Sequence, residues 1–108
     1  MKIFVVGSGA WGTALAMLLA GNGHTVSLWT RTEEKAGLIR TTRCNPALTG
    51  VRVPEEIRIT AALEQAAQAE LVLYAVPSFA LRETARAIAP WLPEGAILVS
   101  ATKGIERS

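Results

Sequence analysis

Short apolar runs alternate along this chain with longer segments in which apolar residues recur at helical spacing. Apolar runs of about four to eight residues that are bounded by Gly, Pro or polar turn residues are typical of strands. The pattern predicts five strands, over residues 2–6, 25–29, 57–60, 71–76 and 97–101. It predicts helices over residues 10–20, 61–69 and 79–89.

Turn-forming and capping residues supply the remaining boundaries. Gly21–Gly23 ends the first helix, and Pro77 and Pro90 interrupt the second half of the chain. Thr30 and Glu33 have the spacing of a capping box, which predicts a further helix that runs to about residue 43. Residues 45–54 are predicted to form a loop. Strands and helices therefore alternate throughout, which predicts an α/β fold with a parallel sheet and helices on both faces.

Composition narrows the function classes. The chain has 108 residues, of which 50% are hydrophobic and 19% are charged, which fits one ordered domain over residues 1–108. Cys44 is the single cysteine, so a disulfide framework is excluded, and a reducing, cytoplasmic location is expected. A net charge of +2 gives no indication of nucleic-acid binding. No apolar run approaches the roughly 18 residues that a membrane span needs, so no membrane insertion is expected.

Candidate chemistry is also limited by what the chain lacks. It contains no Asp, so an Asp nucleophile or an Asp-based triad has no residue to use. His24 is the only histidine, which excludes a multi-histidine metal site in this chain, and no metal is expected. His24 precedes its strand and Cys44 has no base beside it, so neither is expected to be catalytic.

The motif with the clearest chemistry is Gly7-Ser8-Gly9-Ala10-Trp11-Gly12, which joins the first strand to the first helix. Gly7 would allow the tight turn, Gly9 the approach of a diphosphate to the backbone, and Gly12 close packing of helix on strand. The helix N-terminus would favour the negative charge of the diphosphate. In this context the motif predicts a Rossmann-type, doubly wound sheet that binds a dinucleotide; the alternative is a glycine turn that only packs.

Residues at the second strand bear on which dinucleotide is bound. Arg31 follows that strand, and no carboxylate appears before Glu33. An arginine at this position suits the 2′-phosphate of NADP, so NADPH is favoured over NADH. In the alternative, Glu33 or Glu34 would hold the ribose of NAD.

The carboxyl ends of the strands form the ligand edge of such a sheet. Pro77 and Ser78 follow one strand end, and Thr102 and Lys103 follow another. An ammonium at Lys103 could bind an anionic substrate and stabilise a developing alkoxide, although a solvated lysine would look the same in sequence.

The chain resembles bacterial NAD(P)-dependent glycerol-3-phosphate dehydrogenase over its whole length. The similarity rests on the extended glycine motif, residues 7–16, and on four further segments: residues 22–24, 28–29, 76–78 and 101–106. The continuation Trp-Gly-Thr-Ala-Leu-Ala and the segment Thr-Lys-Gly-Ile-Glu are far more specific than the glycines alone. The resemblance implies interconversion of dihydroxyacetone phosphate and sn-glycerol 3-phosphate, for phospholipid synthesis in the cytoplasm.

The resemblance also implies site residues. Cofactor contacts would be made by the phosphate loop, by Arg31, by the segment after the fourth strand and by Lys103, namely Gly7, Ser8, Gly9, Ala10, Trp11, Gly12, Arg31, Pro77, Ser78, Ala80 and Lys103. Lys103 would also bind and orient the substrate and stabilise its charge.

Two departures from the family pattern matter. Ala10 replaces a residue that is often Ser, so a side-chain hydroxyl contact is lost. The family also continues into a helical domain that carries the proton-donor lysine and possible homodimer contacts, and that domain is absent here. Residues 1–108 alone are therefore expected to bind NADPH without turnover. The alternatives are another reductase with the same first domain, acting on 3-hydroxy acids or pyrroline carboxylate, and a non-catalytic nucleotide-sensing module.

Overall fold

A computed structural model describes residues 1–101 of the chain and contains one sheet of five parallel strands. The strands are β1 (Lys2–Val6), β2 (Thr25–Trp29), β3 (Arg58–Thr60), β4 (Leu71–Tyr74) and β5 (Ile97–Ser100). The helices are α1 (Ala10–Gly21), α2 (Glu33–Thr42) and α3 (Ser78–Ile88), with 3₁₀ segments at Leu63–Gln68 and Ala89–Trp91. The strand order is β3-β2-β1-β4-β5, which is the order of a Rossmann sheet and confirms the predicted fold class.

Strand β1 lies at the centre of the sheet because it is apolar on both faces. Ile3 and Val5 face one layer, and Phe4 and Val6 face the other; all four are at most 4% exposed. Val5 lies level with Leu28 of β2 and with Leu73 of β4. Successive side chains of a strand point to opposite faces, so a wholly apolar strand requires cover on both sides.

Helices supply that cover on both faces, as predicted. Buried residues of α1 and α2, among them Ala16 and Ile39, pack against the face that carries Ile3 and Val5. Ala66 of the first 3₁₀ segment and Ile88 of α3 pack against the opposite face. The many alanines at these contacts allow close approach of helix and sheet.

The start of the second helix differs from the prediction. Thr30 is not its N-cap, because the Thr30 N–H is bonded to the Thr60 carbonyl at 2.9 Å and extends the sheet. Thr32 takes the role, and its hydroxyl oxygen accepts from the Lys35 N–H at 3.2 Å. The helix therefore begins at Glu33.

Two other elements also differ in detail. The predicted helix over residues 61–69 is a 3₁₀ segment, whose steeper rise per residue spans the short connection between β3 and β4. The predicted strand over residues 71–76 ends at Tyr74, after which the chain turns toward α3. All four residues of β5, one of the two edge strands of the described sheet, are exposed, whereas Ile59 and Thr60 of the other edge strand, β3, are buried.

Candidate dinucleotide-binding site

The strand order reverses direction at β1 and β4, which are neighbours at the centre of the sheet. The chain leaves β1 toward α1 on one face and leaves β4 toward α3 on the other. Such a divergence opens a crevice at the carboxyl ends of the two strands, where ligands of open α/β sheets bind. The glycine motif enters this crevice from one side, and residues 75–77 line it from the other.

Two of the three glycines are required by backbone packing. Gly7 has φ of +119°, and a Cβ at this position would lie 2.5 Å from the Ala75 carbonyl oxygen. A Cβ at Gly12 would lie 2.0 Å from the Gly7 carbonyl oxygen. The turn and the helix therefore touch through their main chains, which agrees with the roles predicted for Gly7 and Gly12.

Gly9 has a different environment. It is exposed, and a Cβ there would meet no protein atom within 4 Å. Gly9 is also the N-cap of α1, where no side chain caps the helix and no acidic residue occupies the first turn. An uncapped helix start presents N–H donors and a partial positive charge, which is the arrangement that binds phosphate groups.

Two clefts lie on either side of this helix start. The Arg31 cleft, of about 290 Å³, runs from Gly7–Gly9 past Thr30–Thr32 to Lys35. The Trp11 cleft, of about 240 Å³, runs from Gly9 along Ala10 and Trp11. Both clefts share Gly9 and the segment Ala75–Pro77. An elongated ligand with its phosphates at Gly9 could extend one half into each cleft.

The Arg31 cleft carries positive charge. Arg31 and Lys35 line it, whereas Glu33 and Glu34 do not. The Glu33 carboxylate instead accepts from Arg40 Nη2 at 3.2 Å along the exposed surface of α2. The side chains that face this cleft are therefore suited to an anionic group rather than to ribose hydroxyls alone.

Trp11 connects the phosphate loop to the end of the sheet. Its indole Nε1–H donates to the Ala101 carbonyl oxygen at 2.6 Å, although the two residues are 90 positions apart. The side chain stays 43% exposed and lines its cleft. Lys103 lies outside the described residues, two positions after Ala101.

Of the remaining predicted site residues, some line a cleft and others do not. Ser8 lines the Arg31 cleft, and Pro77 lines both clefts. Ser78 is exposed at the first position of α3. Ala80 is 4% exposed and packs in the core under α3, so its methyl group does not line either cleft. His24 lies in the turn before β2, at the opposite edge of the sheet, as predicted.

Three residues that the structure places at the site or in the connection next to it had no recognisable motif in the sequence. Lys35 lines the Arg31 cleft from the first turn of α2. Asn45, in the predicted loop, is buried and donates to the Ser8 carbonyl oxygen at 2.8 Å. Arg43, at the end of the predicted second helix, is also buried, and its side chain donates to carbonyls of residues 53, 54 and 57 rather than to the site. Charged and amide residues are mostly exposed in proteins, so the burial of Arg43 and Asn45 could not be read from spacing.

Three further properties of the described residues concern a buried phenol, metal binding and membrane-spanning helices. Burial raises the pKa of the Tyr74 phenol above its ordinary value of 10.0, so it stays protonated near neutral pH. Among residues 1–101, no three His, Cys or Glu side chains are grouped so that they could hold a metal ion. Within the same range, no helix has the length and apolarity that a bilayer crossing demands.

Comparison with known proteins decides the family. The sequence model described as "NAD-dependent glycerol-3-phosphate dehydrogenase N-terminus" matches residues 2–108. The chain belongs to this family. Among its relatives, glycerol-3-phosphate dehydrogenase [NAD(P)+] from Pelotomaculum thermopropionicum is 47% identical over 107 residues, covering 97% of this chain and 31% of the relative.

Two further members agree with this assignment. Glycerol-3-phosphate dehydrogenase [NAD(P)+] 2 from Mycobacterium bovis is 50% identical over 106 residues, covering 96% of this chain and 32% of the relative. The crystal structure of glycerol-3-phosphate dehydrogenase from Coxiella burnetii superposes with a TM-score of 0.87 at 28% identity, covering 98% and 33% of the two chains. The chain thus spans about a third of the length of the family members that it matches.

The geometry fits the dinucleotide that the family name implies. The uncapped start of α1 supplies main-chain donors, and Gly9 leaves the space beside them open. Gly7 and Gly12 hold that turn by main-chain contacts that no other residue would allow. The described backbone thus has an open, uncapped helix start, which is the kind of position at which phosphate groups bind.

Proposed function

We propose that this chain is the dinucleotide-binding domain of an NAD(P)-dependent sn-glycerol-3-phosphate dehydrogenase. The enzyme would interconvert dihydroxyacetone phosphate and sn-glycerol 3-phosphate in the cytoplasm and supply the latter to phospholipid synthesis. The observation that carries the proposal is the glycine turn at the β1–β4 crevice, in a chain that matches the dehydrogenase family from residue 2 to 108. The helical domain that binds the rest of the substrate and donates the proton would lie outside residues 1–108, and homodimer contacts would lie there too.

The preferred dinucleotide in this proposal is NADPH. Arg31 and Lys35 both line the cleft beyond the helix start, while the Glu33 carboxylate is paired with Arg40. A guanidinium at this position would bind the 2′-phosphate through two parallel hydrogen bonds, which are stronger than bonds to neutral groups. NADH would bind through the same main-chain donors but without this contribution.

The chemical roles follow from the two clefts. When bound, the nicotinamide supplies or accepts the hydride. The nicotinamide would occupy the Trp11 cleft, and the hydrogen bond from Trp11 to Ala101 would hold the residue after β5 beside that cleft. Lys103 would then orient the phosphorylated triose and stabilise negative charge on its carbonyl oxygen. On the described ligand edge no side chain is suited to donate the proton, so residues 1–108 alone would bind NADPH without turnover.

Two measurements test this proposal. The 108-residue chain is titrated with NADPH, and saturable binding without consumption in the presence of dihydroxyacetone phosphate is expected. The protein at the full length of its relatives is then assayed for NADPH consumption with that substrate. Lys103→Met should lower its kcat/KM by about 100-fold, and Lys2→Met, at the opposite edge of the sheet, should leave it unchanged. Turnover by the 108-residue chain, or an unaffected Lys103→Met enzyme, would contradict the proposal.

The alternatives predict other outcomes of the same assays. A reductase for 3-hydroxy acids or pyrroline carboxylate would prefer those substrates over dihydroxyacetone phosphate in a substrate panel. A nucleotide-sensing module would bind NADPH, and Lys103→Ala would change nothing that can be measured as turnover. The relatives at 47% and 50% identity both carry the glycerol-3-phosphate dehydrogenase name, which favours the first proposal. Neither nucleic acid nor a membrane is proposed as a partner.

A further inference from the structure

Asn45 links the connection between α2 and β3 to the turn that follows β1. Its Nδ2 group donates to the Ser8 carbonyl oxygen at 2.8 Å and to the Thr13 hydroxyl oxygen at 2.7 Å. The Thr13 hydroxyl in turn donates to the same Ser8 carbonyl at 3.3 Å. Asn45 is 2% exposed and Thr13 is fully buried. Three buried polar groups therefore meet directly beneath the glycine motif.

The orientation of the Asn45 amide is determined by its partners. The Ser8 carbonyl can only accept a hydrogen bond, so the Asn45 NH₂ group must face it. On the other side, Asn45 Oδ1 accepts from the Ala47 N–H at 3.0 Å, and that group can only donate. The amide is thus satisfied on both sides and held in one orientation.

This contact has a consequence for the next peptide unit. In a planar trans peptide the carbonyl and the following N–H point in opposite directions. The Ser8 carbonyl is turned into the interior, toward Asn45 and Thr13, so the Gly9 N–H is turned toward the exposed side. Gly9 is exposed there and lines both clefts.

We propose that Asn45 is a positioning residue for the dinucleotide: through the Ser8 carbonyl it holds the Gly9 N–H toward the diphosphate. This inference rests on the proposed dinucleotide-binding function. Asn45 itself does not touch the ligand in this proposal. It reduces the freedom of the Ser8–Gly9 peptide before binding, so that less ordering is required when the diphosphate arrives.

The same connection has a separate anchor, which allows a matched control. The Arg43 side chain, 5% exposed, donates to the Val53 carbonyl at 3.2 Å, to the Ile57 carbonyl at 2.6 Å and to the Pro54 carbonyl. None of these partners belongs to the turn after β1. Arg43→Lys would therefore loosen the connection without removing a partner of Ser8.

The test compares two ligands in the wild-type protein and in the variants Asn45→Asp, Thr13→Val and Arg43→Lys. One ligand is NADPH, and the other is adenosine 2′-phosphate, which lacks the diphosphate. Dissociation constants and urea midpoints are measured for each protein. Asn45→Asp keeps the acceptor for Ala47 but loses both donated bonds, and Thr13→Val removes the hydroxyl without changing the side-chain shape.

Asn45→Asp and Thr13→Val should each weaken NADPH binding about tenfold, because the Gly9 N–H would be oriented less well toward the charged diphosphate. Neither variant should change the affinity for adenosine 2′-phosphate by more than about twofold, since this ligand has no diphosphate. Arg43→Lys should lower the urea midpoint and leave the ratio of the two dissociation constants at the wild-type value. If both ligands lose affinity equally, or neither does, the positioning role is wrong. If Asn45→Asp does not fold, Thr13→Val decides between these outcomes by itself. If the wild-type protein binds neither ligand, the proposed function fails instead.

Discussion

The starts of α1 and α2 are built differently, although both helices follow a central strand at the same edge of the sheet. The N-cap of α1 is Gly9, which has no side chain to offer, and no acidic residue follows in the first turn. The N-cap of α2 is Thr32, whose hydroxyl accepts from Lys35 N–H, and Glu33 and Glu34 follow at once. The second helix start is thus neutralised by its own residues.

Because of this difference, an anion would be bound by different groups at the two helix starts. At α1 the main-chain donors remain for an external anion, so diphosphate would be bound by backbone. At α2 the local cap and carboxylates already satisfy the helix, so an anion there would depend on the side chains of Arg31 and Lys35. Backbone binding would serve every dinucleotide, and side-chain binding would discriminate between them.

The largest expected effect is a loss of stability at Gly12, where α1 contacts the main chain of the turn after β1. Gly12→Ala would place a Cβ 2.0 Å from the Gly7 carbonyl oxygen, and we expect a loss of about 3 kcal/mol in the free energy of unfolding. Gly37→Ala in α2, where a Cβ meets nothing within 4 Å, should instead stabilise the fold by about 0.5 kcal/mol or more. Urea unfolding of both variants measures the contrast, and equal midpoints would contradict it.

The next effect separates binding from folding at the α1 start. Gly9→Val adds a side chain where no protein atom lies within 4 Å, so the only expected loss of stability, about 1 kcal/mol or less, comes from the poorer N-cap. The side chain would occupy space at the uncapped N–H groups, and dinucleotide affinity should fall by about 2 kcal/mol, or roughly thirtyfold in Kd. Titration with NADPH and NADH tests this, and both should weaken together. Unchanged affinity would remove the main support for a backbone-bound diphosphate.

A smaller and selective effect is expected at the α2 start. Arg31→Ala should weaken NADPH about tenfold and NADH by less than about twofold, since only NADPH carries the 2′-phosphate. Arg40→Ala is the matched control, because Arg40 pairs with Glu33 and does not line the cleft. Equal losses for the two dinucleotides in Arg31→Ala would show that Arg31 does not recognise the 2′-phosphate.

The smallest expected effect concerns Thr32, the N-cap of α2. Thr32→Ala removes the hydroxyl that accepts from Lys35 N–H, and we expect the fold to lose about 1 kcal/mol. Since that hydroxyl is already used within α2, the Kd for NADPH should stay within about twofold of the wild-type value. Calorimetric unfolding gives the first quantity and titration the second. A large loss of NADPH affinity would mean that the two helix starts bind phosphate in the same way.

Features that depend on neighbouring residues in sequence could be predicted well. Strand β1 is apolar at every position from Ile3 to Val6, which predicts burial on both faces, and the structure has it at the centre of the sheet. The alternation of strands and helices predicts parallel pairing, because a crossover helix returns the chain in the same direction. The glycine motif predicts a tight turn, which Gly7 makes with φ of +119°.

Local patterns were less reliable where two similar residues compete for one role. Thr30 and Thr32 both have the chemistry of an N-cap. The choice of Thr32 depends on the bond between Thr30 N–H and Thr60, which belongs to the neighbouring strand. At Ala80, which the family resemblance places near the cofactor, the packing of α3 on the sheet decides that the methyl group is buried.

The sequence by itself thus determined the fold class and the position of the tight glycine turn after β1, and it predicts a ligand at the carboxyl edge of the sheet. Only the tertiary structure decided which side chains support that turn. Asn45 meets Ser8 across 37 positions and Trp11 meets Ala101 across 90. The physical reason is that hydrophobic periodicity reports which face of an element is buried, whereas a hydrogen bond depends on donors and acceptors that approach only when separate elements pack together.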